Sequence, residues 1–365
     1  MRSKKLHSLC LPLAAVLLLL LSSAALAGAA GSADGTAQAP GALSAKSAVL
    51  MAADTGEVLF EKDARTPRPM ASTTKLMTAL IACEANTPDR TIRVTDELSK
   101  TEGTCMGLKE GETVTLQALV TGAMLASGND AANAIAVMLS GSPGTFANKM
   151  NVRARQLGMD DTHFVTPSGL DADGHEATAY DMALLGRAAA ENQALASICA
   201  TKSAKVSAGE RTIYLSNHNR LLREYPGCAG LKTGYTKKAG RCLVTAARRK
   251  GVTLVCVTLS APNDWADHKK LLDYGFAQME NRAGKSEDYT LAVVGGDSET
   301  VTLECPQTPI LPNNVTAECV PLLRPFEYAP IAKGRIAGEV RYYSNGELIC
   351  SLPLITTREV RGKRT

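Results

Sequence analysis

The sequence predicts an α+β protein: an antiparallel sheet closed by its first and last segments, with a helical insertion between them, followed by a small all-β domain. Three observations carry this. Strand-like runs flank a central stretch, at "SAVLMAADTGEVLFEKD" before it and "GLKTGYTKKAGRCLVTAARRKGVTLVCVTLSA" after it. Residues 72 to about 200, between them, place apolar side chains at helical spacing. From about residue 283 only short alternating runs remain. At 365 residues the chain exceeds one compact core, and its 45% hydrophobic and 21% charged content is that of a folded protein.

The elements follow in order. "MRSKK" is a positive leader, "LCLPLAAVLLLLLSSAALA" an apolar run, and Ala25-Leu26-Ala27 a small-residue cleavage site, so residues 1–27 are expected to be a secretory signal. The run is short of the ~20 residues of a spanning helix, which disfavours a retained anchor. The mature protein is therefore expected outside the cytoplasmic membrane. Residues 28–45, "GAAGSADGTAQAPGALSA", have the small, polar composition of a linker. Asp54-Thr55-Gly56 joins two apolar runs as a hairpin. "ASTTKLMTALIA" opens the helical region, with Ser72 or Thr73 placed to cap it and Leu76, Ala79 and Leu80 facing a core. "TLQALVTGAML", "DAANAIAVML", "TFANKMNVRARQLG" and "TAYDMALLGRAAAEN" continue it. Three strands with a turn at Arg249-Lys250-Gly251 then form a meander, and "DHKKLLDYGFAQME" is a helix covering the sheet. This defines one domain over residues 46–282 and a second over 283–360, whose last two strands meet at Asn345-Gly346.

Charge and cysteine content narrow the function classes. The net +4 includes Arg2, Lys4 and Lys5 of the leader, leaving 37 − 36, or +1, which speaks against nucleic-acid binding or a polybasic membrane surface. Without Cys10, nine cysteines remain, an odd number with no C-x-x-C pair, so apolar packing is favoured over a disulfide framework or metal cluster. His163, His175, His218 and His268 lack metal-ligand spacing and read as solvated or core residues. No phosphate-cradling G-x-x-x-x-G-K loop is present, and no metal or cofactor is expected.

The residues able to do chemistry fall in three segments. Ser72 and Lys75 are one helical turn apart, so a lysine made neutral by burial or by a nearby cation can take the serine proton. Alone this pair reads better as a helix cap. "LASGNDAAN" puts Ser127-Gly128-Asn129 in a tight turn between helices, and "GLKTGYT" puts Lys232-Thr233-Gly234 on a strand, with a small residue where a ligand can approach the backbone. Each has an adequate structural explanation. Occurring in order as S-x-x-K, S-G-N and K-T-G, on a helix start, a helical-domain loop and a sheet strand, they form a set associated with penicillin-binding proteins and class A β-lactamases.

On these motifs the chain resembles the serine D-alanyl-D-alanine carboxypeptidases, the low-molecular-weight penicillin-binding proteins, over nearly all of residues 45–360. "MASTTKLMTALIA", "TPSGLDADGHEATAYDMALLGRA" and "LKTGYTKKAGRCLVTAA" are similar to that family's segments, and S-G-N with K-T-G favours it over the lactamases. No E-x-x-L-N segment supplies a deacylating glutamate, which disfavours efficient β-lactam hydrolysis. The resemblance implies a β-lactamase/transpeptidase-like domain followed by the β domain. It implies Ser72 as nucleophile on the terminal D-alanyl-D-alanine bond of peptidoglycan stem peptides, Lys75 as base and Ser127 as proton relay. It also implies Asn129 on the peptide amide, Lys232, Thr233 and Gly234 at the substrate's terminal carboxylate, and the backbone N–H groups of Ser72 and Tyr235 as oxyanion hole. β-Lactams would acylate Ser72. The alternatives are DD-endopeptidase or transpeptidase activity on the same fold and, against the intact motifs, a silent wall-binding protein. Two departures stand out: Pro167-Ser168-Gly169-Leu170 replaces P-H-G-L, and the sequence ends after the β domain without a C-terminal amphipathic membrane helix. A secreted or wall-associated enzyme is the expectation.

Overall fold

The computed structural model describes residues 39–282, 289–307, 309, 311, 317–344 and 346–363. The expected signal, most of the linker, the domain boundary at 283 and Asn345 lie outside them.

Strand β1 (Ser47–Ala52) turns into β2 (Val58–Lys62) at Asp54-Thr55-Gly56, where Gly56 has a φ of 76°. The β1 pattern is strictly two-faced: Val49 and Met51 enter one core, Ala48, Leu50 and Ala52 another. The chain then runs through a 3-10 turn, Ala71–Thr74, into helix α1 (Lys75–Glu84). Here the structure corrects the capping expectation. Neither Ser72 nor Thr73 caps: both lie inside the turn, and the Thr73 and Thr74 hydroxyls donate back to Met70 O and Ala71 O. Leu76, Ala79 and Leu80 are buried as expected.

The insertion continues with β3 (Thr91–Arg93), α2 (Asp96–Ser99), β4 (Thr113–Thr115), α3 (Leu116–Leu125), α4 (Asn129–Ser140), α5 (Pro143–Gln156), α6 (Ala179–Glu191) and α7 (Gln193–Ala200). Four of these helices start where the sequence supplies caps: the Thr115, Ser142, Thr178 and Asn192 side chains each accept an N–H of the first turn, a bond worth about 1 kcal/mol. Two small sheets were not read from the sequence, β3 with β4 and the hairpin β5 (Ser203–Ala208) with β6 (Arg211–Ser216). The first pair has three residues a strand, too few to show a period beside strong helical signals.

After α8 (Leu221–Glu224), strands β7 (Cys228–Thr236), β8 (Gly240–Arg249) and β9 (Val252–Leu259) form the expected meander, and β9 pairs with β1. The antiparallel sheet has the order β2-β1-β9-β8-β7, so the first and last segments close it and β7 is an edge strand. Helix α6 covers one face and α9 (Asp264–Arg282) the other. Both approach closely through a glycine: a Cβ on Gly186 would meet Val255 at 2.7 Å, and one on Gly275 would meet Leu50 at 2.6 Å.

The C-terminal β-rich domain contains β10 (Tyr289–Val294), β11 (Thr300–Glu304), β12 (Glu318–Leu323), β13 (Phe326–Tyr328), β14 (Ile336–Ser344) and β15 (Glu347–Thr356). They form a sheet of order β12-β14-β15-β11-β10-β13 around Leu291, Val301, Leu303, Val340 and Leu354. Strands β12 and β13 are additions to the sequence reading. All cysteines among the described residues are free thiols; Cys199, Cys242 and Cys256 are buried in apolar cores, whereas Cys319 is exposed and does not fit the packing role expected of it.

Candidate active site

Ser72 stands in the 3-10 turn, and Lys75 is the first residue of α1, so one turn of backbone sets their separation. Lys75 Nζ donates to Asn129 Oδ1 at 2.7 Å and to Ser168 O at 2.6 Å, and lies at hydrogen-bond distance, 2.9 Å, from Ser72 Oγ. The two carbonyl oxygens take both N–H bonds of a neutral amine and leave its lone pair for the Ser72 hydroxyl; the amine is fully buried. No carboxylate among the described residues lies at ion-pair distance from it. Burial holds its pKa well below the ordinary lysine range, and the Lys232 ammonium pushes the same way, against a weaker pull from Asp130.

The turn carrying Ser72 is fixed from behind. Ala71 adopts a φ of 49°, and its carbonyl is so close to Gly169 that a Cβ there would lie 2.0 Å from it. His175 Nδ1 accepts from Val165 N at 2.9 Å, which leaves Nε2–H to donate to Thr74 Oγ1 at 2.9 Å. Thr74 in turn donates to Ala71 O. Buried and bonded at both nitrogens, His175 has its pKa lowered to about 4 and stays neutral. The P-S-G-L segment therefore belongs to the site: Ser168 O receives Lys75, Pro167 O receives Thr78, and Gly169 admits Ala71.

Ser127, on the turn between α3 and α4, has a φ of 58°, and its hydroxyl has no hydrogen-bond partner among the described residues. Asn129 is buried with both ends of its amide engaged, Oδ1 by Lys75 and Nδ2 by Glu102 O at 2.8 Å. It holds Lys75 in place, a task the sequence reading did not give it.

Strand β7 supplies the opposite wall. Lys232 is buried and donates to Thr233 O at 2.7 Å; desolvation lowers its pKa to about 7. Gly234 is required for a reason other than ligand approach: a Cβ there would lie 3.0 Å from the backbone nitrogens of both Ser72 and Thr73. The strand thus lies against the turn, with the Ser72 N–H beside the backbone leading into Tyr235.

These elements enclose a cleft of ≈ 290 Å³ lined by Ser72, Ser127, Thr233, Gly234 and Tyr235, with Lys75, Asn129 and Lys232 buried behind it. All the motif residues converge here. Sequence reasoning missed Thr104, His218, Arg241, Asp264 and Trp265, which also line it. His218 is solvent-exposed, within the solvated-or-core expectation, and also stands in the cleft wall, where desolvation of its ring and the Lys232 charge lower its pKa. Arg241 was recoverable from the hairpin register, since it pairs with Tyr235 across β7 and β8. No group of metal-ligating side chains occurs among the described residues. An apolar hollow of ≈ 260 Å³ between α1, α3 and α7 contains Cys83 but no base, and burial pushes that thiol up to about 11.

A serine bonded to a buried lysine, on a sheet with a helical insertion, defines a serine hydrolase. The chain belongs to the peptidase S11 family of D-alanyl-D-alanine carboxypeptidases, whose family pattern matches residues 33–263. It is 32% identical to the D-alanyl-D-alanine carboxypeptidase DacF of Bacillus subtilis, over 90% of this chain and 89% of that protein. It is 39% identical to the D-alanyl-D-alanine carboxypeptidase DacB2 of Mycobacterium tuberculosis, over 61% of this chain and 79% of that protein. Among solved structures, penicillin binding protein 5 from Haemophilus influenzae superposes with a TM-score of 0.63 at 27% identity, covering 89% of this chain and 99% of that one. The protein is a serine-type D-alanyl-D-alanine carboxypeptidase, as the motifs led one to expect.

Proposed function

We propose that Ser72 attacks the carbonyl carbon between the two terminal D-alanines of a peptidoglycan stem peptide, giving an acyl-enzyme and free D-alanine. The observation that carries this is the 2.9 Å hydrogen bond between Ser72 Oγ and Lys75 Nζ, an amine with no acidic partner among the described residues. A neutral Lys75 accepts the serine proton, and the unbonded hydroxyl of Ser127 passes a proton to the leaving amine. The Ser72 and Tyr235 N–H groups receive the developing oxyanion, and Asn129 orients Lys75 while offering its remaining N–H to the peptide. Thr233, backed by the charge of Lys232, binds on the carboxylate side. Water then attacks the acyl carbon and frees Ser72. Penicillins acylate the same oxygen, because they present a reactive carbonyl to the same constellation.

Residues 1–27 act as an export signal, residues 28–45 as a linker, residues 46–282 as the catalytic domain and 283–360 as the β domain. The enzyme then works on the wall outside the cytoplasmic membrane. Purified mature protein is incubated with a fluorescent penicillin and with a stem pentapeptide, beside a Ser72→Ala control. The expected result is labelling and D-alanine release by the wild type alone; release that persists in Ser72→Ala overturns the assignment.

A second outcome of the same acyl-enzyme is transfer to an amine. A variant of a Streptomyces DD-transpeptidase superposes on 65% of this chain with a TM-score of 0.63 at 31% identity, which motivates adding a peptide amine to the assay. A cross-linked product at millimolar acceptor would assign transpeptidation, and hydrolysis alone would restrict the enzyme to carboxypeptidase action.

A further inference from the structure

The turn that presents Ser127 and Asn129 leads into a buried carboxylate that the chemistry above does not use. Asp130 is the second residue of α4 and is 1% exposed. Its Oδ1 accepts the N–H groups of Met106 at 2.9 Å and Ala131 at 2.8 Å, and its Oδ2 those of Gly107 at 2.9 Å and Leu108 at 3.0 Å. Met106, Gly107 and Leu108 are successive residues of the loop between α2 and β4, and their N–H groups have no other acceptor among the described residues. The same stretch is held by packing: Met106 and Leu108 are buried, and a Cβ on Gly122 would lie 2.2 Å from Met106 Sδ.

The other half of this loop reaches the site. Thr104 O accepts Asn129 N at 2.7 Å, Glu102 O accepts Asn129 Nδ2 at 2.8 Å, and Thr104 stands in the cleft wall. Only Nδ2 can donate to the Glu102 carbonyl, so that bond decides which end of the amide faces Lys75. Oδ1 is the end left, 2.7 Å from Lys75 Nζ.

We infer that Asp130 is a positioning residue for the acylation step: its carboxylate fastens the 102–108 loop to α4, and the loop in turn orients the Asn129 amide and, through it, Lys75. An ionised carboxylate suits the task because both of its oxygens only accept, and each here takes two N–H groups. The inference rests on the reading of Lys75 as the base for Ser72.

Asp130→Asn keeps the shape, but whichever way its amide turns, an –NH2 faces two N–H donors. Amide exchange at Met106, Gly107 and Leu108 should be at least about 10-fold faster than in the wild type. For a peptide ending in D-alanyl-D-alanine, kcat should fall about 10- to 100-fold with KM within about 3-fold. Asp267→Asn controls for stability alone, since that buried carboxylate accepts Ser44 N, Ala45 N and the Ser44 hydroxyl and does not line the cleft. It should melt lower with kcat within about 3-fold of wild type. Gly103→Ala perturbs the other end of the loop, because a Cβ there would lie 2.7 Å from Asn129 Nδ2. It should lower kcat about 10-fold or more while exchange at residues 106–108 stays as in the wild type. Unchanged exchange, or a kcat within about 3-fold of wild type in folded Asp130→Asn, overturns the inference. So does a kcat loss in Asp267→Asn that matches Asp130→Asn at equal loss of melting temperature. If Asp130→Asn does not fold, Gly103→Ala decides, and an undiminished kcat there overturns the inference. Failure of the Ser72 reading looks different: Ser72→Ala turns over the peptide undiminished, while the exchange difference in Asp130→Asn persists.

Discussion

At the residue scale, two lysines in one small volume must hold opposite protonation states, Lys75 neutral to act as base and Lys232 charged to favour an anionic substrate. Lys232, lowered to about 7, loses its charge first as pH rises above neutrality in the free enzyme. The profile of kcat/KM should therefore fall on the alkaline side from about pH 7, and Lys232→Arg should remove that limb, because guanidinium does not titrate there. An unchanged limb in a folded Lys232→Arg variant would assign it to another group. The contribution of the sequence is clear at this scale. Ser72 and Lys75 were legible because three residues of helical backbone bring them together, whatever the remainder of the chain does. Ser127 and Lys232 were legible only as members of an ordered set. Arg241, Asp264 and Trp265 were not, since a strand register and a helix start over twenty residues later unite them, and neither leaves a local pattern.

At the element scale, the 3-10 turn is the part on which catalysis depends most, and it is set by its neighbours rather than by its own composition. The Gly169 approach to Ala71 O leaves no room for a methyl group, at a φ of 82° that already disfavours other residues. Gly169→Ala should lower kcat at least 100-fold while the protein still folds, as read by circular dichroism and by slowed penicillin acylation. The His175 link gives the turn a pH dependence with a definite sign. Its folded pKa of about 4 is below the ~6.5 of an unfolded histidine, so its stabilisation is complete above about 6.5 and is lost as pH falls between 6.5 and 4. About 3 kcal/mol is at stake, and His175→Gln should show a shallower loss of melting temperature over that interval. The hairpin, the meander and the helices were legible in the sequence because each carries its own period or turn. The 3-10 start was not, because a serine-threonine cluster before a helix suits a cap and a tightened turn equally well.

At the scale of the whole molecule, stability comes from two apolar cores on the faces of one sheet and a third in the β domain, with no covalent cross-link among the described residues. Melting should be indifferent to dithiothreitol, and a drop above about 2 °C under reduction would reveal a disulfide. The same economy has a cost at the cleft. Two lysine side chains, Lys75 and Lys232, are buried with no acid at ion-pair distance among the described residues, and burial disfavours a proton on either, so the folded state carries a cost that unfolding would relieve. Activity and robustness are therefore set against each other at these positions. Lys75→Met and Lys232→Met should be catalytically dead yet melt several degrees higher than the wild type, and an anion seated in the cleft should stabilise the native enzyme more than either variant.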